Sequence, residues 1–227
     1  MAFVESQANP GTVQEIDPGQ KAARSQWRPL DHTVGGRVLG HYSAFGQTAA
    51  AAFAAGANVA AFRYATDTNS IAIITRIYTC ATVAAAITAQ RTDPLVLFVA
   101  RGYSVADATN ATALAVVGNA QKMRSSNMGT SLSTNIAVSS AAAGVSGGTK
   151  TVDANAIGAA AFGAGGAVAA LGTGLAVTDL YKADQLSRYP LTLGYQEGVL
   201  LQWGPTALAT GTVTVGFGID WIEVASF

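Results

Sequence analysis

Gly144-Val145-Ser146-Gly147-Gly148 has the G-x-S-x-G form of a hydrolase nucleophile elbow, in which a strained strand-to-helix turn presents a serine to a histidine later in the chain. Here the flanks are rich in Ser and Ala, and the two histidines, His32 and His41, both lie far upstream. The segment reads as a flexible Gly-Ser loop. Asp220 and Glu223 could be the paired carboxylates of a glycoside hydrolase, which stand about 5–10 Å apart across a cleft. Alternation places Asp220 on the face opposite Trp221, toward solvent or a subunit contact, and Glu197 just before a strand reads as a turn acid. Cys80 is the single cysteine, so no intramolecular disulfide or multi-cysteine metal site can form. It sits in an apolar run after Ile77 and Tyr78 and reads as a buried, inert thiol. Gly163–Gly174 lacks the G-x-x-x-x-G-K pattern, and Val168 stands where the third glycine of G-x-G-x-x-G belongs. Asn110-Ala111-Thr112 fits a glycosylation acceptor, which carries meaning only in a secreted chain. These residues predict no catalytic centre, no metal and no cofactor.

The elements that position the side chains are legible chiefly at the end of the chain. Val213, Val215, Phe217, Ile219 and Trp221 occupy every second position, with Thr212, Thr214, Gly216, Gly218 and Asp220 between them. That period puts one apolar and one small or polar face on a single strand. Val199–Trp203 is a second strand, and Gly204-Pro205 to Gly211 supplies the turn, so the chain closes on an antiparallel pair.

Further strands are predicted at Phe62–Tyr64, Ile71–Val83, Leu95–Val99 after Asp93-Pro94, Leu132–Val138, Lys150–Val152 and Leu191–Tyr195. Eight or so short strands split by Gly, Ser, Asn and Asp predict an all-β fold, a β-sandwich or jelly-roll-like domain over residues 41–227. Gln47–Ala61 is Ala-rich, bracketed by Gly46 and Gly56, and reads as a close-packed strand or loop with a helix as the alternative. Thr178-Asp179 could cap one short helical turn through Lys182.

Residues 1–40 differ from the rest. They hold four basic and four acidic residues, Pro10, Pro18 and Pro29, and no apolar period. This is the composition of an extended N-terminal arm that cannot bury enough apolar surface alone to offset its ordering entropy. Such an arm lies on another subunit or along its own domain. Its aromatic and arginine side chains, Phe3, Trp27 and Arg28, are the candidate partner-binding residues, because such anchors dominate interfaces.

The composition sets further bounds. Only 11% of residues are charged, against about 25% in an average soluble domain. Thirteen basic and thirteen acidic residues cancel. A surface this bland is easiest to explain if partners cover it, which predicts a homo-oligomer or an assembly component. The closest basic cluster is Lys122 with Arg124, too small to bind phosphates by counterion release, so no nucleic-acid partner is expected. No charge occurs between Asp153 and Asp179, a length that could span a bilayer. Its many glycines and lack of basic anchors favour a Gly/Ala loop or packed edge strand instead, and no membrane partner is expected. The N-terminus lacks the basic and apolar regions of a signal peptide, which predicts synthesis in a cytoplasm.

The run Tyr195-Gln-Glu-Gly-Val-Leu-Leu-Gln through Ala209-Thr-Gly-Thr-Val-Thr-Val-Gly-Phe-Gly-Ile-Asp-Trp-Ile-Glu-Val224 resembles a group of tailed-phage virion proteins. There a strand reading "NEGF" is followed by an "ATGTW" turn and a last strand ending "WxEV". Gly118–Ser131 resembles the "GNNAKLR…MGTS" stretch of that group, and Phe62–Tyr64 and Ile74–Ile77 fall in the same order. The likeness covers about residues 60–224. It departs at Gln196, where the group often has Asn, and at Val213, where the aromatic of "GTW" is replaced.

The resemblance implies a structural protein of a phage particle with no catalytic residues. The expectation is a capsid decoration (cement) protein on the capsid exterior, made in the host cytoplasm. It would assemble as a homotrimer whose partners are its own copies and the major capsid protein. A tail, connector or baseplate component is the first alternative, and a host-glycan adhesin the second.

Overall fold

The computed structural model describes residues 3–5, 13–17, 22–24, 38–64, 70–114, 130–164, 173–183 and 190–225, and every regular element among them is a β-strand. In chain order these are β1 (Phe3–Glu5), β2 (Val13–Asp17), β3 (Ala22–Arg24), β4 (Val38–Gln47), β5 (Asn58–Tyr64), β6 (Ser70–Ala85), β7 (Arg91–Arg101) and β8 (Ala111–Ala113). Then come β9 (Ser133–Ser139), β10 (Thr151–Val152), β11 (Gly158–Ala164), β12 (Thr173–Lys182), β13 (Thr192–Leu193), β14 (Gly198–Trp203) and β15 (Thr212–Ala225).

Beyond residue 37 the strands form two antiparallel sheets. One runs β10-β7-β14-β5-β9-β8, with β11 also on β7; the other runs β12-β6-β15-β4, with β13 also on β6. The chain crosses between the sheets at β4–β5, β5–β6 and β6–β7, so neither sheet is a simple meander. This is the all-β sandwich expected. Its first strand begins at Val38, slightly ahead of the expected boundary. Within the first 40 residues, β1, β2 and β3 pair only with one another among the described strands.

The sheets meet through alternating apolar side chains. Val213, Val215, Phe217, Ile219 and Trp221 of β15 are all fully buried, as their period requires. Trp221 packs edge-on against Phe62 of the opposite sheet at 5.2 Å and stacks on Tyr42 at 5.5 Å. A second focus gathers Phe53 and Phe162 around Trp203, at 5.6 and 5.5 Å.

Midway along β6 the period breaks. Ile77, Thr79, Ala81 and Val83 face the core, but beyond a bulge so do Ile74 and Ala72. The inserted residue is Thr75, whose hydroxyl donates to the Asp220 carbonyl at 3.1 Å and fixes the bulge in place.

One alternative falls away and two expectations need correction. Gln47–Ala61 is loop and strand, as read, and not the helix kept as the alternative: β4 ends at Gln47, and a loop leads to β5. Its alanines are recruited by sheet pairing, which overrides helix propensity. Thr178-Asp179 begins no helical turn but lies inside β12, a strand with three register shifts against β6. Pro94 does not precede its strand; β7 starts at Arg91, and Pro94 faces Ala161 of β11. The ladder to β14 runs only from Leu95 to Ala100, so Pro94 lies beyond that pairing.

The charge-free Gly/Ala segment contributes β11 and the first part of β12. No helix among the described residues is long and apolar enough to cross a membrane.

Candidate functional site

The G-x-S-x-G motif is not an elbow. No helix follows it, and its backbone is fastened at three places: Gly144 N–H to the Ala141 carbonyl, Val145 N–H to Asn58, and a reciprocal pair between Ser146 and Thr109. Gly144 adopts φ +81°, and a Cβ there would lie 2.6 Å from the Asn58 nitrogen, so glycine is required by close backbone approach. The loop is thus anchored rather than flexible.

Asp220 and Glu223 point to opposite faces of β15. Asp220 lies on the outer face, as expected, and accepts from Ser43 Oγ at 2.6 Å. Glu223 follows Trp221 on the core face and is 1% exposed. Its Oε1 accepts from Trp221 Nε1 at 2.9 Å and Ser131 Oγ at 2.5 Å, and Leu132 N–H donates to both oxygens at 3.0 Å. This carboxylate ties β15 to the start of β9 and is closed off from solvent. Glu197 is the turn acid expected: its Oε2 accepts from Gly194 N–H at 2.8 Å and its Oε1 from Arg101. Gln196 before it has φ +58°, a left-handed position that Asn tolerates better.

Of the residues chosen for partner contacts, Phe3 opens β1. Trp27 and Arg28 lie outside the described residues, as do Lys122, Arg124 and His32. The structure instead reveals a surface on the outer face of the β12-β6-β15-β4 sheet. Gly218 of β15 stands between Phe45 of β4 and Tyr78 of β6, directly paired with both. A Cβ on Gly218 would overlap the Tyr78 ring, so the ring occupies the space the glycine leaves. Phe45 and Tyr78 are parallel within 6° at 6.0 Å. The Arg76 guanidinium caps the other end of the column, 4.5 Å from the Tyr78 centroid, and its Nε donates to Asp179 Oδ1 at 2.6 Å.

Phe45 is 48% exposed, and Val177 on β12, the opposite edge strand of the same sheet, 62%. Cys80 is on this face too, opposite Gly216 and half-buried, so the buried-thiol reading is corrected: the register of β6 turns it away from the core. Arg76, Asp179, Ser43 and Asp220 are already engaged in contacts with one another or with the ring. The surface can therefore offer apolar and aromatic area with little cost in stripping free charges of water.

Tyr42 and Tyr78 flank this sheet on its two faces. Burial, then the charge of Glu223, pushes the Tyr42 phenol from 10.0 up to about 12. Burial and Asp220 raise Tyr78 also, against the opposing pull of Arg76. A pKa raised on folding means the folded state holds its proton longer, so this stability is complete below pH 10 and disappears as pH rises through about 12. The urea midpoint should fall steeply over that window, and Tyr42→Phe should flatten the fall. An unchanged slope in the variant would place the titrating groups elsewhere.

No protein-family model, curated protein or solved structure matches this chain.

Proposed function

We propose that this chain is a structural protein of a tailed-phage particle, a capsid decoration (cement) protein that assembles as a homotrimer over junctions of the head shell. The observation that carries the reading is the outer sheet face: an exposed, glycine-backed aromatic column whose neighbouring charges are already paired is a surface suited to protein contact. The segments that resemble phage virion proteins support the same reading, since Phe62–Tyr64, Ile74–Ile77 and Tyr195–Val224 fall on β5, β6, β14 and β15, the central strands of the two sheets.

The mechanism is mechanical. Apolar burial contributes about 25 cal/mol per Å² before the costs of association. Many copies, each joined by modest contacts, sum that stabilisation across the shell against the pressure of packaged DNA. The arm, through Phe3, Trp27 and Arg28, ties each copy to a neighbouring subunit, the major capsid protein among them.

Light scattering on the purified chain should give three times 23.0 kDa. Phe45→Glu should shift that mass toward one chain while leaving the β circular-dichroism spectrum intact. A wild-type monomer would overturn the trimer. Deleting residues 1–36 should leave a folded sandwich that no longer binds particles; loss of folding would instead make the arm part of the core.

A tail, connector or baseplate role shares the oligomeric habit and differs in copy number. A glycan-binding reading is favoured by one observation, the exposed Phe45–Tyr78 pair, since sugar rings pack on such faces. Binding to a glycan panel that Phe45→Ala abolishes would select it.

A further inference from the structure

At one end of the sandwich, Asp107 and Lys150 meet across two loops. The Asp107 side chain is fully buried and that of Lys150 is 10% exposed. Lys150 Nζ lies 2.8 Å from each Asp107 carboxyl oxygen and 4.5 Å from the centroid of the Tyr103 ring. Two donors address the same carboxyl group. Gly148 N–H donates to Oδ1 at 3.1 Å, and the Tyr103 hydroxyl donates to Oδ2. Arg63 holds the loop that carries Tyr103, with its Nε donating to the Tyr103 carbonyl at 2.7 Å and one terminal nitrogen to the Ser104 carbonyl at 3.3 Å. Burial, then the hydrogen bond to Asp107, keeps the Tyr103 phenol protonated far above its ordinary range.

From this geometry we infer that Lys150 and Asp107 join in an intramolecular amide, a covalent cross-link between the two loops. The parts needed for acyl transfer are all present: a nucleophile held against the carboxyl, a backbone N–H where negative charge develops, and a hydroxyl at the leaving oxygen through which a proton can be relayed.

The step balances without any co-reactant. One ammonium proton passes to Oδ2 as the step begins, leaving the Nζ lone pair free to attack. Nζ attacks Cγ, and Gly148 N–H stabilises the charge on Oδ1. Tyr103 lends its proton to the departing Oδ2 and recovers one from the attacking nitrogen. One C–N bond forms, one C–O bond breaks, and one water leaves. Exclusion of solvent from the pair then protects the amide from hydrolysis. The cross-link closes a loop of 43 residues in a chain that cannot form an internal disulfide.

The test is the intact mass of the purified full-length chain, with a protease map. The expected mass is one water, about 18 Da, below the sequence value. The map should show a branched peptide joining the segments that contain Asp107 and Lys150. Lys150→Arg keeps a cation but cannot form the amide; it should have its full sequence mass and melt roughly 10 °C lower. Tyr103→Phe should slow the mass loss after synthesis. A wild-type chain at its full sequence mass, or a water loss mapped to any other residues, overturns the inference.

Discussion

Trp221→Ala should destabilise the sandwich by about 3–5 kcal/mol, the cost of emptying a large aromatic site in a packed core. That is a large share of the roughly 5–15 kcal/mol that holds an ordinary domain together. The reason lies in where Trp221 sits. It is fully buried on the central strand β15, edge-on to Phe62 across the sheets and stacked on Tyr42 of the next strand. Removing the indole opens both the inter-sheet seam and the cross-strand contact, and it takes a donor from Glu223. The matched control is Phe45→Ala on the outer face of the same sheet, which should cost less than about 1 kcal/mol in the separated chain because its ring is already half in water. Urea unfolding of both variants measures the contrast. Equal costs would mean that the seam between the sheets is not where stability resides.

Glu223→Ala should cost about 2–4 kcal/mol, since it strands buried donors that have no other acceptor of equal geometry. The indole N–H of Trp221, the Ser131 hydroxyl and the Leu132 N–H all converge on this one carboxylate. Glu223→Gln keeps the shape and one acceptor oxygen and should recover more than half of the loss. Chemical denaturation of the pair separates lost hydrogen bonding from lost side-chain volume. If glutamine is as damaging as alanine, the charge rather than the acceptor geometry holds β15 to β9.

Much of this fold was legible because β15 obeys one rule from end to end. Its odd positions from Val213 to Trp221 are all apolar, and every one is buried. Glu223 obeys the same parity, yet a charged residue near a strand end reads as an exposed terminus. Only the distant donors on residues 131 and 132 make its burial tolerable, and nothing local announces them.

β6 hides its faces differently. The bulge at Thr75 flips the parity midway, so the apolar run as a whole shows no single face, and Cys80 shares the outer face with Tyr78. The aromatic surface was illegible for a related reason. Phe45 and Tyr78 are far apart in sequence, and only the shared register against Gly218 brings them together. Gly216 and Gly218 were visible as the small face of β15, but not as the floor on which two rings rest. Asp107 and Lys150 were likewise beyond reach, because the approach of two irregular loops follows from the packed sheets and leaves no periodic trace.

Copy number per purified particle is the sharpest test of the proposed place of this chain in a phage head. Quantitative mass spectrometry against the major capsid protein should give a ratio near one to one, or one trimer per few capsid subunits. A handful of copies per particle would move the chain to a tail, connector or baseplate, and its absence from particles would contradict the virion assignment itself.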